Sequence, residues 1–178
     1  NALLASLESD INAYKSVYDQ YEQQQKNVQS QIDKQVEALR RQEEANKKND
    51  PSYDAGKDNG ATGSMLWPCP SCHTITSEFG WRYHPIYHTQ KYHSGVDIGA
   101  SYGATIVAAD GGTVITAGAV SGYGNCVVIN HGNGITTLYG HMSSIAVSSG
   151  QKVSKGQTIG YVGSTGNSTG PHLHWEVT

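Results

Sequence analysis

The distribution of glycine and histidine divides this 178-residue chain into two parts. Residues 1–50 contain neither amino acid, whereas all 21 glycines and all 8 histidines lie beyond that point. Glycine disfavours helix interiors, so the first part is suited to a long helix. The second part alternates short runs rich in β-branched residues with glycine-containing turns, which favours strands. The sequence therefore predicts an α+β protein in which an N-terminal helix precedes an all-β domain with an antiparallel sheet.

The helical part carries a heptad repeat typical of a coiled coil. Its stripe positions step by alternating threes and fours through more than five heptads. They are Leu4, Leu7, Ile11, Tyr14, Tyr18, Tyr21, Gln25, Val28, Ile32, Gln35, Leu39 and Gln42. Tyrosine and glutamine weaken such a seam and can specify its register or oligomeric state. We predict a coiled-coil helix over residues 1–49 that is a spacer or dimerisation element, or alternatively a regulatory arm that contacts a partner or covers the active site.

A polar segment separates the helix from the strand-rich part. Pro51 ends the helical pattern, and residues 50–65 are rich in Gly, Asn, Asp and Ser without a hydrophobic period, which indicates a linker. The β domain is expected over residues 66–178. Its clearest strands share β-branched residues and bounding turns, and they are residues 105–109, 112–117, 125–130, 135–139 and 158–162.

Two pairs of residues in the β domain have the spacing of metal ligands. His172 and His174 are two residues apart in a strand-like run, so both side chains project to the same face. His93 and Asp97 are four residues apart, which also gives one face if the segment is extended. Two histidines and one carboxylate with an open fourth position form the ligand set of a catalytic zinc site, although the ligand types alone also suit other divalent ions.

Other features narrow the function. The net charge of −3 has no basic block, so we expect no nucleic-acid partner, and the chain has no apolar run long enough to span a membrane. It contains no His-Glu-x-x-His motif, serine nucleophile elbow or phosphate-binding glycine loop. Cys69 and Cys72 are interpreted as a disulfide, as reduced and inert thiols, or as metal ligands, and Cys126 as a buried apolar residue.

Five motifs, in order, resemble the signatures of the lysostaphin-type (LytM-like) zinc endopeptidases. They are Phe79-Gly80-Trp81-Arg82-Tyr83-His84-Pro85, His93-Ser94-Gly95-Val96-Asp97-Ile98, Leu138-Tyr139-Gly140-His141-Met142-Ser143, Gly150-Gln151-Lys152-Val153 with Lys155-Gly156-Gln157, and Gly170-Pro171-His172-Leu173-His174-Trp175-Glu176. The resemblance covers residues 67–178 and none of the helical part.

The resemblance implies a role for particular residues. His93, Asp97 and His174 are expected to hold one zinc ion, and His141 and His172 to be the catalytic histidines. We assign His172 as the general base and His141 as the group that stabilises the tetrahedral intermediate, although the two roles are exchangeable. The remaining candidates are substrate contacts in or beside the same motifs: Arg82, His84 and Tyr139. His73, His88 and His131 are expected to be surface or hydrogen-bonded residues.

The implied function is hydrolysis of amide bonds in the peptide stems or cross-bridges of bacterial peptidoglycan, outside the cytoplasm. One alternative is a non-enzymatic or weakly active module that activates another cell-wall hydrolase. Another is an assembly organised by the coil, in which the β domain is a passenger. Because the chain starts at Asn1 and stops inside a strand pattern, we expect it to be a piece of a longer protein, with any export signal or anchor outside it.

Overall fold

The N-terminal part of the protein is one long helix. The structure is a computed structural model that describes residues 2–83 and 90–178, and its first helix, α1, spans Ala2–Asn49. Pro51 follows two residues after the end of α1, as expected of a residue that cannot continue a helix. The predicted helix is confirmed, whereas its pairing with a second helix in a coiled coil stays a prediction.

The strand-rich part forms an antiparallel sheet, which confirms the predicted fold class. In the described part of the chain its strands are β1 Thr74–Ser77, β2 Gly80–Tyr83, β3 Gln90–His93, β4 Val96–Gly99, β5 Thr105–Val107, β6 Gly112–Val120, β7 Gly124–Gly132, β8 Ile135–Ile145, β9 Lys152–Val153, β10 Thr158–Val162 and β11 His172–Val177. The main sheet has the order β1-β4-β11-β8-β7-β6-β9, with β10 pairing both β5 and β8. Strands β2 and β3 form a separate two-stranded sheet.

The two faces of the main sheet have different coverings. One face carries the larger hydrophobic core, to which alternate residues such as Val127 on β7, Tyr139 on β8 and Leu173 on β11 contribute fully buried side chains. A second hydrophobic cluster contains Cys126, Val128 and Leu138, which alternate with the first set along β7 and β8. Successive side chains of a strand point to opposite faces, so this second cluster lies on the other side of the sheet.

The C-terminal half of α1 packs on that second face. Ile32 is 7% exposed and lies among Cys126, Val128 and Leu138, with Val28 and Val36 beside it one helical turn away on either side. The predicted stripe therefore buries part of its length against the protein's own sheet. Burying a side chain of this size contributes about 1.5–3 kcal/mol, which ties the helix to the β domain.

The N-terminal half of α1 remains uncovered in this single chain. Leu4, Leu7, Ile11 and Tyr14 are all at least half exposed. The side chains of Tyr18, Tyr21 and Gln25, which belong to the same predicted stripe, lie outside the described residues. The exposed apolar positions keep the spacing that a partner helix would require.

Residues 50–65, expected to be a linker, are folded against the β domain. A short helix, α2, spans Ala55–Asn59 and is capped by the Asp54 carboxylate, which accepts the backbone N–H groups of Gly56 and Lys57. Further along, the buried Asp110 carboxylate accepts hydrogen bonds from Thr62 and Gly63. These contacts hold the segment in place, and the division of the chain into domains stays a prediction.

Neither described helix has the apolar length that a bilayer crossing requires. All three cysteines are free thiols, so Cys69 and Cys72 do not form a disulfide in this structure. Cys126 is fully buried, as interpreted from the sequence. Burial raises the pKa of the Cys126 thiol to about 12, so this residue remains protonated and unreactive at neutral pH.

Candidate metal centre

His93 and Asp97 approach each other across a turn. His93 is the last residue of β3 in the small sheet, whereas Asp97 belongs to β4 in the main sheet, and Ser94 and Gly95 form the bend between them. The expectation of one continuous extended segment was therefore wrong. The bend brings His93 Nε2 to 3.2 Å from Asp97 Oδ1. A side chain on Gly95 would collide with the backbone carbonyl of Trp175, so only glycine allows this close approach of β4 to β11.

Strand register brings His174 to the same point. His174 on β11 is the direct cross-strand partner of Asp97 on β4, and His174 Nδ1 lies 2.9 Å from Asp97 Oδ1 and 3.1 Å from His93 Nε2. All three residues are at least nine-tenths buried. The structure thus brings together the three side chains predicted as metal ligands.

The donor atoms of His93, Asp97 and His174 fit a small divalent cation. Their separations of 2.9–3.2 Å are close to the distance of about 3.3 Å between neighbouring ligand atoms of a tetrahedral zinc ion with ~2.0 Å bonds. Two imidazole nitrogens and one carboxylate oxygen also match the ligand types of zinc. Three ligands leave one tetrahedral position for water or substrate, as in catalytic sites.

Hydrogen bonds on the far side of each imidazole fix which nitrogen faces the cluster. His93 Nδ1 donates to the backbone carbonyl of Glu78 at 2.9 Å, which leaves Nε2 as the ligand atom. His174 Nε2 donates to the Glu176 carboxylate at 2.8 Å, which leaves Nδ1 as the ligand atom. Such partners orient metal-binding histidines and raise their basicity.

The cluster is strongly charged. Burial by itself would raise the pKa of Asp97, but hydrogen bonds from His174 and His93 outweigh it and hold the pKa far below its usual range. Burial by itself would lower the pKa of His174, but the carboxylates of Asp97 and Glu176 outweigh it and raise the pKa to about 9. Two carboxylates thus make this buried site favourable for positive charge, whether that of a proton or of a metal ion.

The two predicted catalytic histidines lie beside the cluster. His172 projects from the same face of β11 as His174, and its Nε2 is 3.7 Å from Asp97 Oδ1. The ring centroids of His172 and His141 are 4.6 Å apart. His172 Nδ1 donates to the carbonyl of Gly170 and His141 Nδ1 to that of Thr165, both at 2.8 Å. In their neutral forms both rings therefore have an unprotonated Nε2, able to accept a proton.

His141 has an unusual backbone conformation for a strand residue. Its φ of 60° is in the left-handed region, and its backbone N–H donates to the carbonyl of Tyr123 at 2.7 Å. Burial, opposed only in part by the bond to Thr165, lowers the pKa of His141 to about 4, so the ring is neutral at pH 7. Non-glycine residues in this conformation are commonly found at functional sites.

The predicted substrate contacts have three different outcomes. Arg82 reaches the edge of the cluster, with one guanidinium nitrogen 3.5 Å from Asp97 Oδ2 and in contact with the Ser77 hydroxyl. His84 lies outside the described residues, as does His88. Tyr139 is fully buried on the opposite face of the sheet, where its hydroxyl accepts hydrogen bonds from Ala109 and Thr137. The structure therefore does not bring Tyr139 to the cleft, because strand alternation directs it into the core.

Two further contributors were missed by sequence reasoning. Glu176 lies two residues after His174 on the same strand face, and this spacing was a usable signal. Tyr123, in the turn between β6 and β7, donates its hydroxyl hydrogen to Glu176 Oε1 at 2.9 Å. No motif marks Tyr123, since its position depends on how the turn folds over β11. His131, as interpreted from the sequence, is hydrogen-bonded, through both ring nitrogens, to Gly111 and Thr137.

The fold and this cluster define a β-sheet domain with a candidate mononuclear metal centre, and comparison with known proteins identifies its family. The model of peptidase family M23 matches residues 91–178. Over 103 residues the chain is 49% identical to the DD-carboxypeptidase/endopeptidase Mpg of Neisseria meningitidis, covering 58% of this chain and 24% of that protein. The chain thus spans about a quarter of the length of this and a second curated relative of the same name.

Solved structures show the same similarity. The chain is similar to a zinc-containing peptidase from Vibrio cholerae, with a TM-score of 0.59 and 36% identity over 64% of this chain and 36% of that one. It is also similar to the catalytic domain of the antimicrobial peptidase lysostaphin from Staphylococcus simulans, with a TM-score of 0.53 and 33% identity over 58% of this chain and 80% of that domain. The chain belongs to peptidase family M23.

Proposed function

We propose that this chain is a zinc-dependent endopeptidase that hydrolyses amide bonds in the peptide stems or cross-bridges of bacterial peptidoglycan. One observation carries the proposal: three metal-ligand side chains converge within a few ångströms, beside two imidazoles whose Nε2 atoms are free to accept protons. The similarity to a relative named as a DD-carboxypeptidase/endopeptidase supports the substrate class. Action on peptidoglycan would place the protein outside the cytoplasm.

The residues in and beside the cluster have different proposed roles, which are metal binding, proton transfer and substrate contact. His93, Asp97 and His174 would hold the zinc ion, which when bound supplies a Lewis acid that polarises the scissile carbonyl and acidifies water. His172 Nε2 accepts the proton from the attacking water, and the nearby Asp97 carboxylate stabilises the resulting imidazolium. The same nitrogen then returns the proton to the leaving amine. Arg82, partly exposed at the edge of the cluster, is placed to contact substrate.

His141 has a more restricted role. It can donate a hydrogen bond to the developing oxyanion from Nε2 only after it takes up a proton or after its Nδ1 proton leaves Thr165. Its lowered pKa makes the first route rare at neutral pH. We propose that His141 keeps its Nδ1 proton on Thr165 and stabilises the transition state with a second proton taken up at Nε2 from solvent, with the exchanged assignment, in which the neutral Nε2 is the general base, as the alternative that pH–rate profiles would reveal.

A paired metal and digestion experiment tests this function. The purified protein is analysed for metal and then incubated with peptidoglycan sacculi, and the released fragments are identified by mass spectrometry. We expect about one zinc ion per chain and new amino termini for the native sequence, and neither for His174→Ala. Stoichiometric zinc without released fragments would overturn the enzymatic proposal in favour of a module that activates another hydrolase.

The uncovered half of α1 favours an additional interaction role. Leu4, Leu7 and Ile11 expose an apolar stripe with heptad spacing. We propose that this stripe pairs with the same stripe of a second copy. Sedimentation velocity across a concentration series should detect a dimer that Leu7→Lys disrupts, while Lys15→Gln on the same helix serves as a control. A monomer at all concentrations would leave the stripe for a different partner.

A further inference from the structure

The helix α1 lies on the same sheet face as the candidate metal centre. Val128 on β7, Leu138 on β8 and Glu176 on β11 form one cross-strand row, since each is the register partner of the next. Cross-strand partners share a face. Val128 and Leu138 pack against Ile32 of α1, and Glu176 holds His174. The helix therefore docks immediately beside the residue that orients a candidate ligand.

A chain of hydrogen bonds runs from the helix to that ligand. The Tyr123 hydroxyl lies 2.8 Å from the side-chain amide of Gln29 on α1 and 2.9 Å from Glu176 Oε1. Glu176 Oε1 in turn accepts from His174 Nε2 at 2.8 Å and from the Ser94 hydroxyl at 2.5 Å. The side chains of Gln29 and Tyr123 thus reach from the surface helix to the back of His174.

The proton count fixes the direction of these bonds. A phenol has one proton, and the negatively charged carboxylate is the stronger acceptor, so Tyr123 donates to Glu176. Gln29 presents its Oε1 to the same hydroxyl and donates from Nε2 to Asp33 at 2.9 Å, so it is a second, weaker acceptor for the phenol proton. The docked helix therefore contributes one of the two acceptors that hold the phenol at this position.

Tyr123 also contacts the rest of the site. Its ring lies 5.4 Å from the ring of His174, and its backbone carbonyl accepts the N–H of His141 at 2.7 Å. A displacement of Tyr123 would therefore move the support of a candidate ligand and of a candidate catalytic histidine together.

We propose that Gln29 and Tyr123 are positioning residues through which the docking of α1 sets the affinity of the metal centre. Gln29 on the helix contacts the Tyr123 hydroxyl, and this hydroxyl donates to Glu176. Glu176 accepts from His174 Nε2, which directs His174 Nδ1 at His93 and Asp97. The inference rests on the proposed metal-dependent function. A partner that displaces α1 from the sheet would weaken metal binding without touching a ligand.

The test measures zinc affinity of the full chain by competition with a chromophoric chelator, which is a readout independent of catalysis. Tyr123→Phe keeps the ring but removes the hydroxyl, and it should weaken zinc binding by up to about tenfold, the lower end of the effect of losing a direct partner of a metal-binding histidine, because the hydroxyl acts on His174 through Glu176. Gln29→Leu should weaken it by a smaller factor. The double variant should be no weaker than Tyr123→Phe alone, because Gln29 acts through Tyr123.

Gln35→Leu is the matched control. Gln35 is on the same helix and contacts the domain at Thr116, away from Glu176, so the affinity should be unchanged. Circular dichroism and the melting temperature identify any variant that fails to fold, and Gln29→Leu, which alters a surface helix position, then carries the test. Native affinity in both Tyr123→Phe and Gln29→Leu overturns the inference, as does equal weakening by Gln29→Leu and Gln35→Leu. If the native sequence binds zinc but releases no peptidoglycan fragments, only the proposed enzymatic function fails; if it binds no zinc, both fail.

Discussion

His174 and Asp97 face each other as register partners on β11 and β4, and their side chains meet at 2.9 Å between Nδ1 and Oδ1. The backbone pairing of β4 with β11 therefore sets the relative position of these two candidate ligands, and neither ligand lies on a loop. A site placed on paired strands is held more rigidly than one on loops, which suits a metal centre that must keep a fixed geometry.

The first prediction separates the two histidines of β11. His174→Ala should abolish stoichiometric zinc binding, because it removes one of three ligand atoms and leaves Glu176 without its hydrogen-bond donor. His172→Ala should retain zinc and lose hydrolysis. Metal analysis after dialysis, combined with a peptidoglycan digestion assay, measures both quantities. Equal loss of zinc in the two variants would contradict the division of roles.

The second prediction concerns Glu176. Glu176→Leu should weaken zinc binding by about 10–100-fold, since His174 loses the acceptor that fixes its tautomer. Glu176→Gln preserves an oxygen acceptor of the same size and should weaken binding less. Competition titrations of the two variants test the ranking, and the reverse order would show that Glu176 acts through steric packing alone.

Much of this arrangement was predictable from local sequence. The period of two in His172–His174 correctly predicted that both side chains share a face, and the change in composition near residue 50 correctly predicted where α1 ends. The contacts of Tyr139 and Tyr123 were not predictable in the same way. Whether a tyrosine faces the core or the cleft depends on strand register, which is set by pairing between residues far apart in the sequence.

The docking of α1 on the sheet was also not predictable, because it depends on contacts between residues far apart in the sequence. The heptad stripe predicted an apolar face but not what would cover it, because a helix stripe packs equally well on a sheet or on another helix. The sheet covers Val28, Ile32 and Val36, because the apolar side chains of Val128 on β7 and Leu138 on β8 lie against them. The turn at Ser94 and Gly95 was predictable, because Ser-Gly is a dipeptide typical of turns, but the spacing of His93 and Asp97 favoured one extended segment instead.

The third prediction tests the assignment of the general base. The rate of hydrolysis should be at least about tenfold lower in His172→Asn than in His141→Asn. The reason is that general acid–base transfer typically contributes about 10²–10⁴-fold to a rate. Both variants should keep zinc. Rates are compared at pH 6 to 9 with metal-loaded protein. A larger loss in His141→Asn, together with loss of the acidic limb of the profile, would exchange the two roles.

The fourth prediction concerns acid stability. Burial, opposed by the hydrogen bond to Gly111, lowers the pKa of His131 below its ordinary value of ~6.5. Between that value and the folded-state pKa the unfolded chain binds a proton that the folded protein does not, so stability should fall as the pH drops below about 6.5. Urea titrations of the native sequence and of His131→Asn should show free energies of unfolding that converge toward pH 5. His73→Gln, which changes an exposed histidine, should follow the native sequence in parallel.

The fifth prediction tests the contact between α1 and the sheet. Ile32→Ala removes a nearly buried side chain and should destabilise the protein by about 2–4 kcal/mol, or by the whole free energy of docking if that is smaller. Ile11→Ala makes the same chemical change on the exposed half of the helix, where the side chain is 56% exposed, and should alter stability by less than about 0.5 kcal/mol. Urea unfolding at a concentration where the chain is monomeric provides the values. Faster amide hydrogen exchange within residues 24–46 of Ile32→Ala would locate the loss at the helix. If both variants unfold at the same urea concentration as the native sequence, α1 is not held by Ile32, and the coupling of the helix to Glu176 through Tyr123 would lose its structural basis.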